Sequence, residues 1–539
     1  MKHLLAALSL AVALSAGIAS AQAQPAPAGQ LAPVTGDFVI RDFHFTTGES
    51  LPELKLHYVT LGEPRRDSSG VVRNAANWMN DPNGPIFYKG RYHMFFQYNP
   101  NASVWGDMHW AHSSSPDMIH WQQQPVAIAP TPNGWDRDGV FSGCVVLDGA
   151  TPTAIYTGVL PPDTPADATL KDGQHTWREM QCLATSHDAD LRTWQKLPAP
   201  IIARPPAGLT VTGFRDPCVW REGNEWRMAL GSGFAGKGGA ILLYSSPDLR
   251  QWTYLNPLVE GHSAGQTGTN PVDTGDMWEC PDFFPLGDRH VLLISTMGKV
   301  FWRSGHYDGK HFTAAKEGVV DYGAYYAERS MLDRDGNRVL WGWIPERRPE
   351  AKHRAAGWAG VMSLPRVLSL DAGGQLEMVA AATVQMLRGK RSSVRGSEAD
   401  AKKKLDALRI HNLAAELHVE CAPDRPFTLE LKSDSGARFA EVAYDPAVTG
   451  SELRINNTRA TVTTPRTEAL HLQLFVDASV IEVFANRTTS ITERIYTTPQ
   501  GALRISISDV SSLRALDLWP ISPISKDRLT SCDTLFERP

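Results

Sequence analysis

The feature that most limits how this chain can fold is a turn that recurs along it. Ser115-Pro116-Asp117-Met118-Ile119-His120-Trp121 returns as Ser246-Pro247-Asp248-Leu249-Arg250-Gln251-Trp252, and more loosely as Ser186-His187-Asp188-Ala189-Asp190-Leu191-Arg192-Thr193-Trp194. In each copy an Asp stands four residues before a Trp, and strands such as Gly238–Tyr244 (GGAILLY) lead in. From about Trp78 to Leu370 short strand patterns alternate with Gly, Pro, Asn and Asp. Aromatic and turn signals repeating in this way are the mark of β-propeller blades. Beyond them, HVECAPDRPFTLELKS, ARFAEVAYD and LHLQLFVDASVIEVFAN alternate as strands, which predicts a β-sandwich over residues 408–539. The most helix-friendly stretch lies in between, at 376–410, and its Lys402-Lys403-Lys404 run reads as a solvated face. With 42% apolar residues the chain can bury sizeable cores. Its 53 basic and 58 acidic residues give a net charge of −5, which argues against a nucleic-acid partner.

At the N-terminus, Lys2 and His3 precede an apolar run from Leu4 to about Leu14. A-x-A patterns follow at Ala19–Ala21 and Ala21–Ala23. This is the form of a secretory signal peptide cut near Ala21 or Ala23, so a secreted or periplasmic protein is expected, with no membrane span in the mature form. Six cysteines remain, but their spacing follows no disulfide framework and no CxxC or HExxH occurs. Mostly buried thiols, and no metal site, are expected. Residues 36–62 hold two alternating runs, Phe38–Phe45 and Leu54–Val59, a hairpin pattern. Residues 36–75 also resemble the opening of homoserine acetyltransferase-type α/β-hydrolases. That fold needs a G-x-S-x-G elbow entering a helix. The pattern occurs once, at Gly261–Gly265 around Ser263, but GQTGTNP follows and cannot start a helix. Ser263 is therefore read as a chance match and the preface as carrying no chemistry.

Three carboxylates stand in distinctive settings: Asp81 in WMNDPNG, Asp216 in FRDP and Glu279 in WECPDFFP. Taken singly, the first two read as turns. Glu279, wedged between Trp278 and Cys280, reads as a carboxyl whose charged form is disfavoured by apolar neighbours, which suits a general acid.

Taken together with FFQYNP (Phe95–Pro100), FSG (Phe141–Gly143), AGVMSLPRVLSL and FVDASVIEVFAN, these blocks resemble the signatures of glycoside hydrolase family 32. That family holds invertases, inulinases, levanases, fructan exohydrolases and fructosyltransferases. The resemblance implies an all-β fold, a five-bladed β-propeller followed by a C-terminal β-sandwich. Domain boundaries are then expected as signal peptide 1–23, lead-in and preface 24–71, propeller 72–385, linker 386–407 and sandwich 408–539. It also implies Asp81 as nucleophile, Glu279 as acid/base and Asp216 as transition-state stabiliser, with Arg215 nearby keeping Asp216 ionised. As nucleophile Asp81 would have to stay ionised, helped by donors in its own turn such as the Asn83 and Gly84 amides. Asn80, Gln97, Trp105, Phe141, Ser142 and Arg215 resemble positions that hold the fructosyl unit. Amides and hydroxyls suit sugar hydroxyls, and an aromatic face suits sugar C–H bonds. The substrate would be a small or polymeric fructoside, cleaved with retention and with no cofactor. A fructosyltransferase of the same fold and a non-catalytic carbohydrate-binding propeller are the alternatives. Ser295–Trp302 and Asp321–Ser330, with the doubled Tyr325-Tyr326 before Glu328 and Arg329, would flank the leaving-group side.

Overall fold

The computed structural model describes residues 33–44, 50–61, 77–161, 169–171, 174–262, 271–448, 450–462, 468–497, 499 and 501–524. Residues 1–32, where the signal peptide is expected, Ser263 with the residues up to 270, and Cys532 lie outside them. The chain divides into two compact units, residues 1–64 and 65–539. In the first, strands Pro33–His44 and Ser50–Leu61 pair antiparallel, with Phe38 opposite Leu56 and Ile40 opposite Leu54. This is the hairpin that the alternation predicts.

The second unit is all-β but for short helices such as Ala401–Ala407, within the helix-friendly stretch. Five antiparallel sheets of four or five strands follow one another along the chain. Their first strands are Trp78–Tyr88, Val140–Asp148, Val211–Glu222, Glu279–Leu286 and Tyr326–Leu332. Successive sheets bury apolar faces against each other. Phe95 and Trp110 of the first meet Tyr156 and Met180 of the second, and Ile155 and Leu183 meet Phe214 and Leu242 of the third. Trp278 and Leu292 of the fourth pack on Ile241, while Leu293 and Trp302 pack on Tyr325 and Leu340 of the fifth. Finally, Met331 and Trp341 of the fifth sheet pack on Met94 and Phe96 of the first. Being covered on both sides, the inner strands read as continuous apolar runs rather than alternating ones.

The recurring turn joins the third and fourth strands of four of the five sheets. The carboxylate of Asp117 accepts the backbone N–H groups of Ile119 and His120, and that of Asp248 accepts those of Arg250 and Gln251. This leaves Met118 and Leu249 with left-handed φ of 66° and 63°, which the Asp bonds stabilise. The Trp indole closes the loop by donating to that residue's carbonyl, as Trp121 does to Met118 and Trp252 to Leu249. In the looser copy the capping residue is Asp188, which accepts from Asp190, Arg192 and Thr193, and not the Asp190 that spacing selects. Asp308, accepting from Lys310 and His311, supplies a fourth copy, with Phe312 where the Trp would be.

Two six-stranded sheets follow and share one core, with Leu417, Leu474 and Val483 of one packed with Leu429, Val442 and Ile505 of the other. Phe427–Ser433 alternates buried and half-buried along its length, as the sequence predicts. Arg366, fully buried, ties this module to the five-sheet module. It pairs with Asp321 at 3.0 Å and with Glu482 at 2.8 Å, and stacks on the rings of Tyr325 and Phe484.

Candidate active site

Each first strand breaks its ladder near its start. The pairing register shifts between Met79 and Pro82, Phe141 and Gly143, Arg215 and Cys218, Glu279 and Asp282, and Tyr326 and Arg329. A bulge re-aims side chains by adding a residue to one strand. Here the five bulges turn Asp81, Ser142, Asp216, Glu279 and Tyr326 towards one another. In three of them a residue with a side chain takes a left-handed φ: Asp216 at 64°, Cys280 at 50° and Ala327 at 52°. Such backbone persists only where its surroundings over-determine it. At Asp216 they do. Its N–H donates to Thr157 Oγ1, whose hydroxyl donates to Gln181, and Gln181 donates to the Phe214 carbonyl.

The three predicted carboxylates come together. Cys280 donates its backbone N–H to Asp216 Oδ2 at 3.0 Å, and its Sγ lies 3.7 Å from Asp81 Oδ2 and 3.6 Å from Asp216 Oδ2. Arg215 joins the third, donating through Nη2 to Glu279 Oε1 at 2.6 Å. Asp81 is served by Ser142 Oγ at 2.6 Å and Asn80 Nδ2 at 2.9 Å. The same Asn80 amide donates to Gln97 Oε1, Gln97 donates to Ser142, and Trp78 Nε1 donates to Asn80 Oδ1. The predicted binders Asn80, Gln97 and Ser142 thus form one buried polar chain ending on Asp81. Phe141 and Trp105 meet edge to face with centroids 5.7 Å apart, and Trp105 is 50% exposed, an open aromatic wall.

Three local expectations change. The hydrogen bonds that hold the Asp81 carboxyl come from Ser142, Asn80 and its own backbone N–H rather than from the Asn83 and Gly84 amides, and Asn83 Oδ1 accepts from the Gly143 N–H. Arg215 is not chiefly the partner of Asp216, which is 3.9 Å from its Nε; its short contacts are with Glu279 and Glu179. Nor is Glu279 held among apolar groups. Tyr326 donates its phenol to Glu279 Oε2 at 2.6 Å, opposite Arg215, and the Glu279 side chain is 31% exposed.

Tyr326 is a site residue that sequence reasoning placed only in a flanking stretch, and its doubled-tyrosine context is the signal for it. Burial and the charge of Glu279 hold its phenol well above the ordinary range, so it remains a donor. Glu179 was missed altogether. Below the site Arg329 donates to the backbone carbonyls of Pro281 and Asp216, and Glu328 accepts from Ser295 Oγ at 2.6 Å. Cys144, Cys182, Cys218, Cys280 and Cys421 are buried free thiols.

Burial raises the Asp81 carboxyl above its ordinary value, opposed by the Ser142 and Asn80 hydrogen bonds, and the charge of Glu279 adds to the rise. Burial likewise pushes Asp216 up to about 7, with Arg215 pulling down and Glu279 and Asp81 pushing up. Neighbouring carboxylates disfavour one another's ionised forms.

Residues 72–380 match the glycosyl hydrolases family 32 N-terminal domain, and residues 383–520 match the family's C-terminal domain. The chain belongs to glycoside hydrolase family 32. The sucrose-6-phosphate hydrolase of Escherichia coli is 33% identical to it over 468 residues, covering 79% of this chain and 88% of that protein. The raffinose invertase of Escherichia coli is 34% identical over 465 residues, covering 80% and 89%. Among solved structures, fructan 1-exohydrolase IIa from Cichorium intybus superposes with a TM-score of 0.68 at 26% identity, over 83% of this chain and 96% of that one. As a family 32 member the protein is a glycosidase acting on fructosides.

Proposed function

We propose that this family 32 protein is an exported, retaining β-fructosidase that releases fructose from sucrose or fructans. The observation that carries the reading is the convergence of Asp81, Asp216 and Glu279, from three different sheets, on Cys280 and Arg215. The five sheets are read as blades of a five-bladed propeller, each delivering one bulged strand to the site.

In the first step an Asp81 oxygen attacks the anomeric carbon of the fructosyl unit. The bond to the leaving oxygen breaks as Glu279 gives that oxygen its proton, leaving fructosyl ester on Asp81. In the second step Glu279, now a carboxylate, takes a proton from water. The resulting hydroxide-like oxygen attacks the same carbon and frees Asp81. Ser142 and Asn80 supply donors that ease charge onto the Asp81 oxygens and off them again. Asp216, fixed by Cys280 and the Thr157 hydroxyl, offers its carboxylate to sugar hydroxyls, and these bonds strengthen as oxocarbenium-like charge develops. Trp105 and Phe141 form an apolar wall for the sugar ring. The N-terminal pattern supports export.

Purified protein incubated with sucrose, sucrose 6-phosphate, inulin and levan, beside an Asp81→Asn control, tests this reading. Free fructose is expected from at least one substrate and none from the control. Lengthening oligofructosides with little free fructose would make it a transferase. A folded protein with no turnover on any of the four would make it a sugar-binding module.

A further inference from the structure

Arg215 touches Glu279 directly, and it does not belong to Glu279 alone. Its Nη1 donates to Glu179 Oε1 at 2.9 Å while its Nη2 donates to Glu279 Oε1 at 2.6 Å. Glu179 lies in the third strand of the second sheet, within Gln174–Thr185, and is 2% exposed. Its second oxygen accepts the Phe214 backbone N–H at 2.6 Å. Both carboxylate oxygens are thus committed to the two residues that precede Asp216, and neither reaches the site itself. Among the groups facing Glu279 are Arg215 from the third sheet and the Tyr326 phenol from the fifth, and Asp81 and Asp216 act on it through charge. Arg329 and Cys280 lie beneath, against Asp216.

A general acid bonded to an arginine at 2.6 Å has a difficulty: the guanidinium favours its ionised form and works against keeping the proton. A second anion on the same guanidinium counters this, by sharing the cation and by adding its own negative field. We propose that Glu179 is a positioning residue that holds Arg215 from behind and divides its charge, so that Glu279 keeps its proton for the first step. The same grip fixes the Phe214-Arg215 backbone and so the strained Asp216. The inference rests on the proposed role of Glu279 as acid/base.

Its test is the pH profile of kcat/KM for fructose release in Glu179→Gln and Glu179→Asp, with thermal unfolding measured alongside. Removing the carboxylate charge leaves Glu279 a larger share of Arg215, so the alkaline limb should move to lower pH by roughly one unit in Glu179→Gln. The loss should fall on kcat more than on KM, because the groups that contact sugar stay in place. Glu179→Asp keeps the charge but draws it back, and should move the limb the same way by less. It decides the matter alone if the Gln variant, whose amide sets a donor against the Phe214 N–H, does not fold. A limb unmoved or raised in a folded variant overturns the proposal, as does a rate lowered equally at every pH, the signature of a merely structural role. A wild-type protein that releases no fructose would instead refute the fructosidase reading.

Discussion

Replacing Tyr326 with Phe removes one hydrogen bond and little else, since the phenol oxygen is the only atom lost. That oxygen donates to Glu279 Oε2 at 2.6 Å. It stabilises the carboxylate form of Glu279, so its removal favours the protonated form and raises the pKa. A hydrogen bond to a charged group contributes about 1.5–3 kcal/mol. Glu279 is 31% exposed, so water replaces part of the lost bond and the lower end applies, about 1.5 kcal/mol. One pKa unit corresponds to about 1.4 kcal/mol, which gives an upward shift of about one unit. The alkaline limb of kcat/KM for sucrose should therefore move up by about one pH unit in Tyr326→Phe, opposite in sign to the shift expected at Glu179. Initial rates of fructose release across the pH range provide the assay. An unmoved or lowered limb, in a variant that unfolds at the wild-type temperature, would refute the reasoning.

Two further outcomes concern stability. Arg366→Met leaves Asp321 and Glu482 buried without their cation, and breaking such a pair costs about 3–5 kcal/mol, so the urea midpoint should fall clearly; a midpoint equal to wild type would show that the two modules do not depend on this hub. His93 and His112 are stacked and buried between the first two sheets, joined ring nitrogen to ring nitrogen at 3.0 Å. Burial lowers His93 to about 4, and burial with the charge of His93 lowers His112 to about 3. Below the unfolded value of about 6.5 the unfolded chain binds protons that the folded one refuses, so stability falls as pH drops from there towards about 4. The double variant His93→Gln/His112→Gln should flatten that slope in thermal unfolding, and an unchanged slope would contradict the assignment.

The carboxylates were legible because each lies in a contiguous block on a first strand, where local context carries the information. The polar chain from Asn80 through Gln97 to Ser142 was legible as a set of residues, though not as a chain. Tyr326 and Glu179 were not, because their roles exist only across sheets: Tyr326 is 47 residues from Glu279, and Glu179 is 36 from Arg215. The Asp81 donors were misread for a related reason, since Ser142, 61 residues away on the next sheet, supplies one of them. The repeat exposed the turn chemistry in three sheets. It hid the fourth, where Phe312 replaces Trp, because the capping Asp does the work and the aromatic only closes it.

Retention is the central claim, and the anomer of the first product tests it most directly. With sucrose in aqueous methanol, a share of the fructosyl groups leaves the enzyme as methyl fructofuranoside, which does not mutarotate and can be assigned by NMR. Two displacements at the anomeric carbon, through an ester on Asp81, give the methyl β-fructofuranoside. The methyl α-fructofuranoside would mean a single displacement and would remove Asp81 from the role of nucleophile.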